Sequence, residues 1–277
     1  MTYSLVARDP EKGELGVAVQ SRSFGTGAAV PWAQAGIGAV ATQSFTQRSY
    51  GPLGLELLAD GAAPELALEQ LVAGDAQRDF RQVAFVDAQG RTASHTGAAC
   101  IPATGSLAGD GFSAQGNMLR SEDVVPALAE GFARAEGTLA ERLLAGLDAA
   151  EATGGDFRGR EAGAILVVPS EGSPYESVTD LRIDNHRDPL GELRRLLGEA
   201  QALRRLRQAA PDELDEALRE ARAAGVDDDV ARWVAAVTLT GTDRERADTL
   251  LAPLVAADER WRVALDVAAE LVRQVDG

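Results

Sequence analysis

Met1-Thr2-Tyr3-Ser4-Leu5-Val6-Ala7-Arg8, then Asp9-Pro10-Glu11-Lys12-Gly13-Glu14, then Leu15-Gly16-Val17-Ala18-Val19-Gln20-Ser21-Arg22 opens the chain. The outer runs are aliphatic and β-branched, and the middle one carries the Pro, Gly and charged residues of a reversal, so the stretch reads as a β-hairpin. Its first strand starts at residue 2. Thr2 therefore offers a hydroxyl nucleophile and, once Met1 is removed, a free α-amine on the same residue.

Composition narrows what surrounds this hairpin. A chain of 277 residues with 45% hydrophobic content can bury one large core and a smaller one. No apolar run approaches the roughly 20 residues of a membrane helix, and no basic segment followed by an apolar core opens the chain, so a cytoplasmic protein is expected. Cys100 is the single cysteine and His95 and His186 the only histidines, which leaves no Cys/His zinc set and only a carboxylate-ligated metal open. The net charge of -16 opposes phosphate backbones and anionic lipid, so neither nucleic acid nor a membrane is an expected partner. Lys12 is the sole lysine. Amine chemistry would thus fall to the α-amino group.

Beyond the hairpin, 24–32 reads as a loop of glycine and small residues, and 36–43 as a third strand whose Ala and Gly content suits close layer packing. Helical spacing marks 51–60 and 64–72. A second hairpin is read at 82–87 and 91–96, a short strand at 111–118, helices opening at Ser121 and Thr138, and a third hairpin at 164–168 and 177–184. Gly105-Ser106-Leu107-Ala108-Gly109-Asp110-Gly111 is glycine-rich but does not open a helix, so it lacks the context of a phosphate loop. Strands, helices and strands again describe a layered α+β domain over 1–187. From Asp188-Pro189 the pattern is helical only, with amphipathic candidates through 188–206, 211–223, 228–239, 243–256 and 259–275. This C-terminal segment, 188–277, is helical-repeat-like.

Several blocks resemble the domain-of-unknown-function 1028 family: Thr2 to Asp9, Gly13 to Val19, Val30-Pro31-Trp32 through Gln43, Tyr50-Gly51-Pro52, His95-Thr96-Gly97, Gln115-Gly116-Asn117-Met118-Leu119, and Asp184 to Pro189. The resemblance spans about 2–197. It implies a fold similar to N-terminal nucleophile (Ntn) hydrolases, a four-layer αββα sandwich followed here by the all-helical segment. It also implies chemistry with no cofactor and no metal, on a small amide or modified peptide as substrate, peptides with an N-terminal imine among them.

On that reading Thr2 Oγ attacks an amide carbonyl while its α-amine, with a reference pKa of about 7.7 to 8.0, takes the proton. Ser4 lies on the same strand face and could orient or replace it. Ser21 and Arg22 end the second strand, where Arg22 could grip a substrate carboxylate. Thr42, Gln43 and Asn117 could donate to an oxyanion, Gln115 joins Asn117 in the substrate-binding set, and His95 could act as acid, base or orienting donor. Each also has a plain structural reading, as a strand-forming Thr, a solvated turn or a hydrogen-bonded core amide. The alternative function is a catalytically silent relative that binds a small molecule or peptide in the same cleft. In either case the C-terminal helices are expected to serve association, as a homodimer or larger homo-oligomer.

Overall fold

The computed structural model describes residues 2–275 and divides into two compact units, 1–194 and 195–277. In the first unit the opening stretch forms β1 (Thr2–Arg8) and β2 (Leu15–Ser21), paired antiparallel from Thr2↔Ser21 to Arg8↔Leu15. The turn closes on Asp9, whose carbonyl receives Gly13 N–H at 2.9 Å while its Oδ1 receives the N–H groups of Glu11 and Lys12. Gly13 sits at φ 69°, a left-handed conformation that suits glycine.

β3 (Pro31–Gln34), β4 (Gly38–Ser44), β5 (Arg81–Asp87) and β6 (Thr92–Thr96) form a four-stranded sheet in the order β3-β4-β5-β6. The hairpin lies in a six-stranded sheet completed by β7 (Gly105–Gly109), β8 (Phe112–Asn117), β9 (Ala162–Val168) and β10 (Thr179–Ile183), in the order β10-β9-β2-β1-β8-β7. Both sheets are antiparallel throughout. Two segments read as connections are thus strands. The 24–32 loop contains a 3₁₀ turn at Thr26–Ala28 and gives way to β3 at Pro31, and Gly105–Gly109 is the edge strand β7.

Side-chain alternation builds the layers. Val6, Val17 and Val19 of the larger sheet meet Ala39, Ala41, Ala84 and Val86 of the smaller one in a shared core, so the two sheets face each other across small side chains. On the smaller sheet's other face, Val40, Val83 and Phe85 pack under α1 (Tyr50–Ala59) and α2 (Pro64–Ala73). The larger sheet's other face receives α3 (Val124–Arg134) and α4 (Leu139–Ala152): the Phe112 and Phe132 rings lie 5.0 Å apart, and a Cβ at Gly16 would come within 2.7 Å of Leu143. α4 begins with a capping box, Thr138 Oγ1 accepting from Glu141 N–H while Glu141 accepts from Thr138 N–H. α3 starts later than expected, at Val124 rather than near Ser121.

α5 (Pro189–Gln208) begins at the anticipated Asp188-Pro189 and runs past the division between units. The second unit continues with α6 (Leu214–Ala223), α7 (Asp228–Leu239), α8 (Arg244–Ala257) and α9 (Arg260–Val275). It has its own core, including Leu214, Leu218, Val234, Leu239, Leu251, Leu254 and Leu265. Arg244 joins α8 to α9 by reaching Asp266 at 2.6 Å, and Arg246 joins α8 to α6 by reaching Asp215 at 2.8 Å. Among the described residues no helix is long and apolar enough to cross a membrane.

Candidate active site at the start of the central strand

β1 is flanked on both sides, and its register brings three strand ends together: Thr2 lies between Ser21 of β2 and Asn117 of β8. Pleating then turns Thr2, Ser4 and Val6 toward the facing sheet, together with Ser21, Gln115 and Asn117. β4 and β5 supply Gln43 and Gln82 from the other side as cross-strand partners. The layer between the sheets is therefore apolar around Val6 and Val17 and polar around Thr2.

Hydrogen bonds link this polar end. Thr2 Oγ1 donates to Ser21 Oγ at 3.1 Å, and Ser21 Oγ also receives Ser23 N–H at 3.2 Å. Ser4 Oγ donates to Gln43 Oε1 at 2.7 Å and accepts from Gln115 Nε2 at 3.2 Å. Gln43 Nε2 donates to the Thr2 carbonyl at 3.2 Å and to Gln82 Oε1 at 2.8 Å, which uses both of its amide protons. Asn117 Nδ2 donates to the same Gln82 oxygen at 2.9 Å, leaving its second proton directed elsewhere. Gln82 Nε2 reaches Gly116 O at 2.9 Å, Thr96 Oγ1 at 3.0 Å and Gly105 O at 3.1 Å. Thr2 is 5% exposed, and Ser4, Ser21, Gln43, Gln82, Gln115 and Asn117 are buried.

This cluster consists of hydroxyls and neutral amides. Thr2, Ser4, Ser21, Gln43, Gln115 and Asn117 are the sequence candidates that it unites, and Gln82 is the member that the sequence reading missed. Arg22 lies at the margin: its guanidinium pairs with Glu161 at 2.7 Å, and its N–H donates to the buried Asp156 carboxylate at 3.0 Å. Glu161 thus already fills the role proposed for a substrate carboxylate. Thr42 and His95 lie on the opposite face of their sheet. Thr42 pairs with Val83, against the helices, and its Oγ1 donates to Gln47 O at 3.1 Å. His95 also pairs with Val83, and its Nε2 lies 2.9 Å from Arg78 O. Strand pleating separates both from Thr2.

Two residues adjoining the cluster hold left-handed backbone: Ser44 at φ 67°, directly after Gln43, and Met118 at φ 53°, directly after Asn117. Non-glycine residues in this region concentrate at functional sites, where surrounding contacts over-determine them. Met118 is held from both sides, its N–H donating to Ile101 O at 2.8 Å and its carbonyl accepting from Phe157 N–H. On the other face of β1, Tyr3 donates to Glu151 at 2.7 Å; burial, reinforced by that carboxylate, pushes its hydroxyl well above the usual value. Among the described residues no three His, Cys, Asp or Glu side chains gather as a metal would require.

A mixed α+β unit of two facing antiparallel sheets, with a buried polar cluster at the first residue of a central strand, is the class that fold and site define. The sequence model of DUF1028, described as a family of unknown function, matches residues 2–193, and the chain belongs to that family. It is similar to a solved DUF1028 protein from Silicibacter pomeroyi at 34% identity and a TM-score of 0.67, covering 72% of this chain and 86% of that one. A likeness to Anbu, an ancestral beta-subunit from Yersinia bercovieri, has 12% identity and a TM-score of 0.37, covering 72% of this chain and 94% of that one. Among curated proteins nothing matches.

Proposed function

We propose that the chain is an amidohydrolase of the Ntn type, its sheets and flanking helices forming a four-layer αββα sandwich, acting on a small amide or modified peptide. One observation carries this reading: the cluster around Thr2 contains a nucleophile but no basic side chain. His95 faces the other way, and Lys12 lies in the β1–β2 turn at the far end of the strand. A base for Thr2 Oγ1 is then best supplied by its own α-amine, which requires loss of Met1.

In the reaction, Thr2 Oγ1 attacks the carbonyl carbon and its proton passes to the α-amine. The second Asn117 Nδ2 proton supports the oxyanion, while Gln43 holds the Thr2 carbonyl and Gln82 holds both amides. The C–N bond then breaks as the amine returns the proton to the leaving nitrogen, giving an ester on Thr2. Water, deprotonated by the same amine, cleaves that ester, and Thr2 is regenerated with release of the acid.

Intact mass of the natively produced protein should show Thr2 at the N-terminus. Thr2→Ala should lower hydrolysis of an amide substrate by about a thousandfold or more with its thermal transition unchanged. Uniform retention of Met1, with undiminished hydrolysis in Thr2→Ala, would sink this mechanism. A second reading, a silent relative that binds an amide or peptide beside the same cluster, is favoured by the engagement of the Thr2 hydroxyl with Ser21 Oγ. It predicts binding to the wild type with no turnover. The helical unit is proposed as an association module; sedimentation of the full chain as a single protomer would remove that role.

A further inference from the structure

Most phenylalanines of a soluble protein belong in its core, yet four of the seven here are exposed: Phe24 at 73%, Phe45 at 56%, Phe80 at 44% and Phe157 at 43%. All four fall at one end of the paired sheets. The register brings the end of β2, the end of β4, the start of β5 and the start of β9 to the same end as Thr2. Phe24 follows β2, Phe45 follows β4, Phe80 precedes β5 and Phe157 lies in the connection into β9. Ile101, 38% exposed, joins them through the Met118 N–H bond to its carbonyl. Among the described residues, the connections at the opposite end expose one large hydrophobic side chain, Tyr175.

These loops are tied down. Phe45 N–H donates to Phe80 O at 3.3 Å, their rings meet edge to face at 5.7 Å, and Arg81 Nη1 grips Phe45 O at 2.6 Å. Phe157 N–H donates to Met118 O at 3.4 Å, and its neighbour Asp156 accepts from Arg22 N–H at 3.0 Å. Gly25 N–H, next to Phe24, donates to Asp184 O at 3.2 Å. Exposed aromatic side chains on pre-ordered backbone lose little entropy when a ligand covers them, and an apolar rim around a few convergent polar groups is the usual make-up of a small-molecule site.

Resting on the reading of Thr2 as the reacting residue, we infer that this rim selects amides bearing a bulky apolar group, aromatic or branched aliphatic, beside the scissile bond. The polar floor pairs with one amide, and the phenyl rim covers the group next to it. Covering one phenyl ring corresponds to roughly a 10- to 100-fold gain in affinity.

The test uses the full chain carrying Thr2→Ala, so that binding is read without turnover, with N-acetyl-phenylalaninamide and N-acetyl-glycinamide as probes in calorimetric titration. The phenylalanine amide should bind roughly 10- to 100-fold more tightly. Adding Phe24→Ser or Phe45→Ser should reduce that ratio at least about threefold; Phe24→Ser should leave the thermal transition in place because its ring is exposed, whereas Phe45→Ser also gives up the Phe80 ring contact. Equal affinities, no binding of either amide at millimolar concentration, or a ratio untouched by the rim substitutions would overturn the inference. So would a wild-type dimer that the rim substitutions dissociate, because the rings would then cover a second copy. Hydrolysis by the wild type is measured separately, so failure of the rim and failure of Thr2 as nucleophile give different results.

Discussion

Gln82 Oε1 receives both Gln43 and Asn117, and the two protons of its Nε2 are shared among two carbonyls and two threonine hydroxyls. Replacing it by Leu leaves several buried groups unpaired at about 1–3 kcal/mol each, so Gln82→Leu should destabilise the protein by about 3 kcal/mol or more in urea unfolding. In an active preparation it should lower kcat more than it raises KM, because Asn117 loses the acceptor that aims it. Gln82→Glu keeps an acceptor but sets a carboxylate oxygen against the Gly116 and Gly105 carbonyls, so it should also fail to rescue kcat. Thr2 and Ser4 were legible because a strand read from residue 2 fixes which side chains share a face, and Gln115 and Asn117 because they alternate onto one face of the strand read at 111–118. Gln82 was not, since a glutamine opening an alternating strand looks like a strand end. Only the Gln43↔Gln82 register, which local sequence does not encode, reveals it. Thr42 failed for a related reason: of two neighbours on a strand only one can face Thr2, and the phase of β4 is set by the layers on either side.

Close approach of elements is set by glycines whose role is packing. A Cβ at Gly51 in α1 would lie 2.2 Å from the Trp32 ring of β3, and one at Gly54 would lie 2.6 Å from Phe85 of β5. For Gly51→Ala, the gain in helix propensity of up to about 1 kcal/mol competes with overpacking against a rigid indole, typically about 1–3 kcal/mol. The clash should win, and the substitution should lower the denaturation midpoint. Long amphipathic helices, the first hairpin and the Thr138 cap were readable because their signals are local and repeated. β3 and β7 were not: a four-residue strand starting at a proline and a glycine-flanked edge strand have too little alternation to stand out, and their neighbours make them strands.

Titration acts on the first unit from both ends of the pH scale. Arg81, 2.8 Å from Asp75, holds that carboxyl below its usual value, so the pair's stabilisation is present above the unfolded pKa and is lost as pH falls through the lower folded one. Burial, with help from Asp75, pushes Tyr50 up to about 12, and burial with Glu151 raises Tyr3. For both tyrosines the stabilisation holds below about pH 10 and drains as pH rises toward the folded values. Unfolding free energy should therefore fall at acid pH and again above about pH 10, and Tyr3→Phe should blunt the alkaline decline. Separate cores also predict two cooperative transitions by calorimetry, one for the unit built on the inter-sheet core and one for the unit built around Leu251 and Leu254. The three tryptophans make this division visible to light. Trp32 stands beside α1, whereas the Trp233 and Trp261 rings meet at 5.5 Å with a 53° tilt inside the helical unit. In a Trp32→Phe protein all indole emission would come from that pair, so its fluorescence would report the melting of the helical array alone.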